Sequence, residues 1–208
     1  MRSYNELARA GVRDLTDLTD GEIKTLTSFV VTNEHRKPDA KYLEVGVFAG
    51  TTMRYVKQFA KTTHFTGVDL FEDFGAPVSN NTHTSDTFSK SDVERIVGDR
   101  VTLIKGDSHT ILPTLTEKYD FIFIDGNHTY EATLKDFLDC TKLLAPGGQI
   151  AFHNASSYMG PDFELYVMKD GGPWLVTQHI NDGTVVPLGS WHMIADVDRL
   201  RVFRKAGE

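Results

Sequence analysis

At 208 residues, with 40% hydrophobic and 25% charged side chains, the chain has room for one sizeable α/β domain and too little for two. Its net charge of −7, with no Lys/Arg cluster, gives no electrostatic footprint for nonspecific binding to DNA or RNA. The single cysteine, Cys140, excludes an internal disulfide and a cysteine-based zinc cluster, and its apolar helical setting predicts a buried, inert thiol.

Residues 1–37 read as amphipathic helix, with Leu15, Leu18, Ile23, Leu26, Phe29 and Val30 at roughly helical spacing and Pro38 closing the pattern. Thr19 or Asp20 is the expected cap, with Glu22 in the first turn, and the segment is read as a lid or packing element. An α/β alternation follows. Short apolar strands are predicted at Tyr42 to Val45, Phe65 to Val68, Val101 to Ile104, Phe121 to Ile124 and Gln149 to Phe152, with helices at Thr51 to Ala60 and Thr129 to Leu144. Pro146-Gly147-Gly148 is read as the turn into the fifth strand. Nearly all-apolar strands of this length, separated by helices, predict a doubly wound, mostly parallel sheet covered on both faces. Residues 72–92 form a polar insertion too long for an ordinary loop. In the tail, Trp174 to His179, Trp191 to Ala195 and Leu200 to Phe203 are strand-like and read as antiparallel strands on one sheet edge. No apolar N-terminal core suits a signal peptide and no run reaches the ~20 residues of a membrane span, so a cytoplasmic protein without membrane contact is expected.

Ligands of such sheets bind outside the carboxyl ends of the strands, and the polar residues of interest fall there. Gly46 and Gly50 bracket the turn after the first strand, where the backbone can approach a ligand and a helix N-terminus offers free N–H groups; alone, they also fit a plain tight turn. Asp69, ending the second strand, can accept both hydroxyls of a ribose. Asp107 and Ser108, ending the third, can address an adenine edge. Glu44, two residues before Gly46, suits an ammonium-bearing ligand better than a pyrophosphate, and the Gly-x-Gly-x-x-Gly preferred by nicotinamide cofactors is absent. After the fourth strand comes Asp125-Gly126-Asn127-His128, and after the fifth His153-Asn154. Asp125, His153 and Asn154 can converge, and a carboxylate, an imidazole and an amide oxygen can bind a divalent cation. His128 has two readings, a general base that takes a hydroxyl proton or a cap of the helix that starts at Thr129.

Glu-x-Gly-x-x-x-Gly, the Asp69 strand end, Gly106-Asp107-Ser108 and Phe121-Ile122-Phe123-Ile124-Asp125-Gly126 together resemble the successive motifs of class I S-adenosylmethionine-dependent methyltransferases, from about residue 40 to 155. The resemblance implies a Rossmann-like methyltransferase fold with a seven-stranded, mostly parallel sheet. It implies that Glu44, Gly46, Val47, Phe48, Gly50 and Thr51 hold the methionine part of the cofactor, Asp69 and Leu70 the ribose, and Gly106, Asp107 and Ser108 the adenine, with Asp125 bordering the same crevice. Asp125 and Asn154 are also similar to ligands of the metal-dependent catechol and caffeoyl-CoA O-methyltransferases. There, magnesium is held by an Asp after strand four and an Asp-Asn pair after strand five, so His153 departs from the pattern and would favour a transition metal over magnesium. His128 stands where the catechol enzymes carry a lysine base. Val68-Asp69-Leu70-Phe71-Glu72-Asp73-Phe74 partly matches a motif of the macrocin O-methyltransferase-like enzymes, with Asp73 where Gly is usual, and implies a hydroxylated acceptor such as a sugar. A homodimer is compatible with these likenesses. Two other readings share the motifs. One is methylation of nucleic acid or protein, although the Asp/Asn-Pro-Pro-aromatic motif of DNA amino methylation is missing; the other is a cofactor-binding protein without methyl transfer.

Overall fold

The computed structural model describes residues 16–71, 88–155, 171–184 and 189–207. The predicted features at 1–15, 72–87 and 156–170, including Leu15 and most of the insertion, lie outside the described residues.

Helix α1 (Asp20–Arg36) starts from a capping box: the Thr19 hydroxyl accepts from the Glu22 N–H, and the Glu22 carboxylate accepts from the Thr19 N–H. Ile23, Leu26 and Val30 bury its apolar stripe against the sheet, and the Asn33 amide donates to Gln149 Oε1 (2.8 Å) and to the Asp120 carbonyl (3.0 Å). From Asp20 onwards the segment is therefore a packed layer of the core rather than a lid.

Then come β1 (Lys41–Val45), α2 (Thr51–Lys57), β2 (His64–Asp69), α3 (Lys90–Val97), β3 (Val101–Lys105), α4 (Ser108–Ile111), β4 (Tyr119–Ile124), α5 (Tyr130–Leu143), β5 (Leu144–Phe152), α6 (Gly172–Asn181), β6 (Trp191–Val197) and β7 (Leu200–Lys205). The sheet order is β3-β2-β1-β4-β5-β7-β6, with β1 to β5 parallel and β7 antiparallel to both its neighbours. One apolar cluster lies on the face covered by α1, α2 and α3, the other on the face covered by α5 and α6, so the strands are sealed on both sides. Cys140 sits in the second cluster as a buried free thiol. The strand order reverses between β1 and β4, which puts the binding crevice at their carboxyl ends.

Three predicted boundaries change. Trp174 to His179 is not a strand but the body of α6, because Pro173, Val176, Thr177 and Ile180 are the buried positions and that spacing is helical. The β-favouring Trp174 and Leu175 are only half buried there, and packing of α6 on α5 overrides local propensity. β5 begins at Leu144, which pairs with Tyr119. Pro146 to Gly148 is a bulge inside it, after which Gln149 pairs with Phe121. The last residues of the 72–92 segment are already α3, capped by the Ser89 hydroxyl. Among the described residues no helix is long and apolar enough to cross a membrane.

Candidate active site

The turn after β1 is held by backbone contacts. Gly46 has φ +86, and a Cβ there would fall 2.2 Å from the Asp125 carbonyl oxygen, so only glycine lets β1 turn this close to the end of β4. Gly50 is needed for a different reason: it starts α2 at φ +73, and a Cβ would press into Val93 and Val97 of α3. Asp69 clamps the same turn. Its Oδ2 accepts from the N–H groups of Val47 (2.7 Å) and Phe48 (2.9 Å), and its Oδ1 from Phe71 (2.7 Å). Phe48 is itself left-handed, with φ +50. Phe48 and Leu70 leave large apolar surface, 42% and 38% exposed, at the mouth of β1 and β2, and the Thr51 hydroxyl is buried with no hydrogen-bond partner among the described residues. A flat aromatic ligand would cover the first two.

Glu44 lies fully buried beneath the turn and accepts from the Tyr42 hydroxyl at 2.6 Å. Burial lifts its pKa to about 8, helped by the neighbouring charges of Asp125 and Asp69 and opposed by the Tyr42 hydrogen bond. Glu44 is thus largely protonated at neutral pH beside the carboxylates of Asp125 and Asp69. A cationic ligand would favour its ionisation, and a pyrophosphate would oppose it.

Of the three residues expected at the adenine, Asp107 caps α4 by accepting from the His109 N–H (2.9 Å), while Gly106 donates its N–H to the Asp69 carbonyl (2.9 Å). The Ser108 hydroxyl is engaged from behind, donating to Asp136 Oδ1 at 2.7 Å. Asp136, on α5, is buried, and burial lifts its carboxyl to about 6 against the Ser108 bond. His109 Nε2 stands 3.5 Å from the same oxygen. Asp136 was missed from the sequence. The available signal was an acid on the apolar stripe of α5, among Ala132, Thr133, Phe137 and Cys140.

Across the crevice, Asp125, His128, His153 and Asn154 come together. The Asp125 N–H donates to the Val45 carbonyl (2.8 Å), which locks the end of β4 to β1. Its Oδ1 lies 3.1 Å from His153 Nδ1 and 3.8 Å from His128 Nε2. The Asn154 amide is placed to donate to His128 Nε2 (3.2 Å), an arrangement that takes up the lone pair of that nitrogen and puts the neutral ring's proton on Nδ1. Helix α5 is capped by the Thr129 hydroxyl, so His128 is free of the capping role and keeps a quarter of its side chain open to the crevice. His153 is 2% exposed, and its other nitrogen, Nε2, faces Glu22 Oε2 at 3.5 Å. Glu22 is wholly buried and also accepts from the Arg199 N–H at 2.7 Å. This capping-box acid is the second residue that sequence reasoning missed.

These charges shift one another. Burial opposes the charged form of His153, yet Asp125 and Glu22 together hold its pKa up to about 9. Burial also disfavours the Asp125 carboxylate, but the two histidines hold it well below the usual carboxylate range. An imidazole with a carboxylate at each nitrogen has no lone pair for a metal. Among the described residues no group of three or more His, Cys, Asp or Glu side chains is set to hold one. The expected divalent site at Asp125, His153 and Asn154 is poorly served by His153 as it stands, with a carboxylate facing each nitrogen, while the Asn154 contact to His128 runs through the amide nitrogen and does not engage the oxygen that would be a ligand.

A family model described as a methyltransferase domain matches residues 43–155. An uncharacterised protein of Acanthamoeba polyphaga mimivirus is 30% identical over 132 residues, 61% of this chain and 56% of that relative, so the match spans little more than half of the relative's length. Among solved structures, the O-methyltransferase TomG of Streptomyces achromogenes, in complex with S-adenosylmethionine, is similar with a TM-score of 0.64 at 16% identity, over 96% of this chain and 85% of that one. A Bacillus cereus O-methyltransferase in complex with S-adenosylhomocysteine gives 0.61 at 18% identity, over 97% and 88%. The Podospora anserina methyltransferase PaMTH1, bound to S-adenosylhomocysteine, gives 0.62 at 18%, over 96% and 85%. At these identities the structural likeness is one of fold.

Proposed function

We propose that this chain, which belongs to the methyltransferase-domain family by its match over residues 43–155, transfers a methyl group from S-adenosylmethionine to a hydroxyl of a small molecule. The observation that carries the reading is His128, with an acceptor nitrogen beside Asp125 and Asn154, set across the crevice from the glycine turn. The acceptor is read as a sugar, another polyol or a phenol.

The fit to the cofactor rests on the anionic crevice, the Gly46 approach and the exposed faces of Phe48 and Leu70. When bound, S-adenosylmethionine supplies a sulfonium-activated methyl group. Glu44 ionises against the positive charge, and the clamped turn positions the methionine portion while Leu70 and Phe48 cover apolar faces. As the acceptor hydroxyl displaces the Asn154 amide, His128 Nε2 receives the hydroxyl proton while the acceptor oxygen bonds to the methyl carbon and the carbon–sulfur bond breaks, so that S-adenosylhomocysteine leaves. Asp125, 3.8 Å away, stabilises the imidazolium that forms. Positioning the two reactants for in-line attack supplies much of the remaining rate. No step is routed through a metal.

Calorimetry with S-adenosylmethionine, followed by S-adenosylhomocysteine release across a panel of sugars, polyols and phenols, tests the reading. His128→Ala is expected to lower kcat by about 10²- to 10⁴-fold with cofactor affinity unchanged. Full activity in that variant removes His128 from the base role, and failure of the native protein to bind the cofactor removes the whole reading.

A further inference from the structure

We infer that His153 is a resident cation, an imidazolium clamped between Asp125 and Glu22, standing in the place that a divalent metal would take and fixing Asp125 toward His128. The inference deepens the methyl-transfer reading, on which its catalytic consequence rests, namely that transfer needs no divalent metal.

Four groups from four parts of the chain make the array. Asp125 follows β4, His153 follows β5, Glu22 lies in the first turn of α1 and Arg199 precedes β7. The charges alternate in space: Asp125 Oδ1 meets His153 Nδ1 at 3.1 Å, His153 Nε2 meets Glu22 Oε2 at 3.5 Å, and Glu22 Oε1 meets Arg199 Nε at 3.4 Å. His153 and Glu22 are buried, each with an opposite charge beside it, and Arg199 at the outer end is shared with the exposed Asp17 at 2.7 Å. A buried charge persists only with partners of this kind, and each member here has one.

The contact between His153 and Asp125 has hydrogen-bond geometry, with the ring N–H directed at Oδ1. Two ligands of one metal would instead aim their lone pairs at a common point between them. A neutral, metal-bound imidazole also sets its remaining N–H against a carboxylate, so Glu22 at Nε2 suits either state. The second carboxylate, in hydrogen-bond geometry at Nδ1, is what favours a proton on both nitrogens. The hold of these carboxylates on the proton, about 9 against the ordinary 6.5, agrees with the geometry.

His153 does not reach the crevice and is a positioning residue. Its pull on Oδ1 keeps the Asp125 carboxylate on the side of His128, and its link to Glu22 makes the first turn of α1 part of the active-site frame. The cation is built from the folded chain, so it cannot be removed by a chelator.

The ligand-free native protein provides the test. Thermal melting is measured with magnesium, with manganese and with EDTA, and nitrogen-15 NMR reads the His153 ring at pH 8. Melting is expected to stay constant across the three conditions, and both ring nitrogens are expected to carry protons. Glu22→Gln should lose the doubly protonated signature at that pH, since one of the two carboxylates is gone. His153→Asp should gain a melting increase of roughly 5–10 °C at magnesium concentrations about 100 times its dissociation constant. A magnesium- or manganese-induced melting shift in the native protein, or a His153 ring with one bare nitrogen at pH 8, overturns the inference even if both variants fail to fold. Cofactor and acceptor are absent from these measurements, so their outcome is independent of whether methyl transfer is observed.

Discussion

The two banks of the crevice are built by different means. On the β1–β2 bank the key contacts are local: Asp69 gathers the N–H groups of Val47, Phe48 and Phe71, and glycine at 46 admits the turn. On the β4–β5 bank the contacts are long-range and carried by side chains: Glu22 reaches His153, His153 reaches Asp125, and Asn154 reaches His128. A backbone cradle tolerates exchange of side chains but no added volume. A charged network tolerates small changes of volume but no loss of a partner. The first bank should therefore fail through shape, and the second through charge.

Gly46→Ala is the largest test of that division. The added methyl meets the Asp125 carbonyl at 2.2 Å, and alanine at φ +86 is strained. The combined cost is roughly 3 kcal/mol, read as a fall in the denaturant midpoint, with cofactor binding lost. If the variant keeps both stability and cofactor affinity, the turn is not the rigid cradle described.

Glu44 lies where the two banks meet and breaks the comparison, because it belongs to the cradle but acts through charge. Its folded pKa of about 8 exceeds the ordinary carboxyl value of 4.5, so the folded protein binds more protons than the unfolded chain between those limits. The stability contributed by the protonated form is complete below 4.5 and is lost as pH rises toward 8, at about 1 kcal/mol per pH unit. Glu44→Gln should flatten that slope in denaturation measured from pH 5 to 8. At pH 7 the native protein should release protons on binding S-adenosylmethionine, because the ligand's positive charge lowers the Glu44 pKa, and the glutamine variant should not. Calorimetry in two buffers of different ionisation enthalpy reads the difference.

The division also governs what the sequence revealed. The strands, the glycine turn, Asp69 and Asp125 could be placed because their signals are short-range: an apolar run, a turn residue, an acid at a strand end. The clustering of Asp125, His128, His153 and Asn154 followed from strand order alone. Glu22 could be read only as the first-turn acid of a capping box, since its second role needs α1 folded against β5 and β7. The metal expectation was formed without such contacts for the same reason, since the groups facing both nitrogens of His153 are tertiary neighbours. The α6 residues misled because Trp174 and Leu175 favour strands locally while burial ran at 173, 176, 177 and 180.

Ser108 gives the smallest effect and the sharpest comparison of the two modes. By position it belongs to the cofactor cradle, and by contact it belongs to a buried charge, donating to Asp136 Oδ1 at 2.7 Å. The Asp136 carboxyl is lifted to about 6 by burial, above its ordinary 3.8, and the Ser108 bond resists that lift. Removing the hydroxyl in Ser108→Ala raises the carboxyl further and penalises its ionised form. The loss of stability should therefore be slight near pH 5, where Asp136 is largely protonated, and reach about 1 kcal/mol by pH 8, where it is charged. A serine that serves the adenine alone would behave otherwise: cofactor affinity would fall at every pH, and ligand-free stability would not acquire a pH dependence. Parallel denaturation curves at pH 5 and pH 8 for the native protein and the variant separate the two. A penalty equal at both values would detach Ser108 from Asp136 and return it to the cradle.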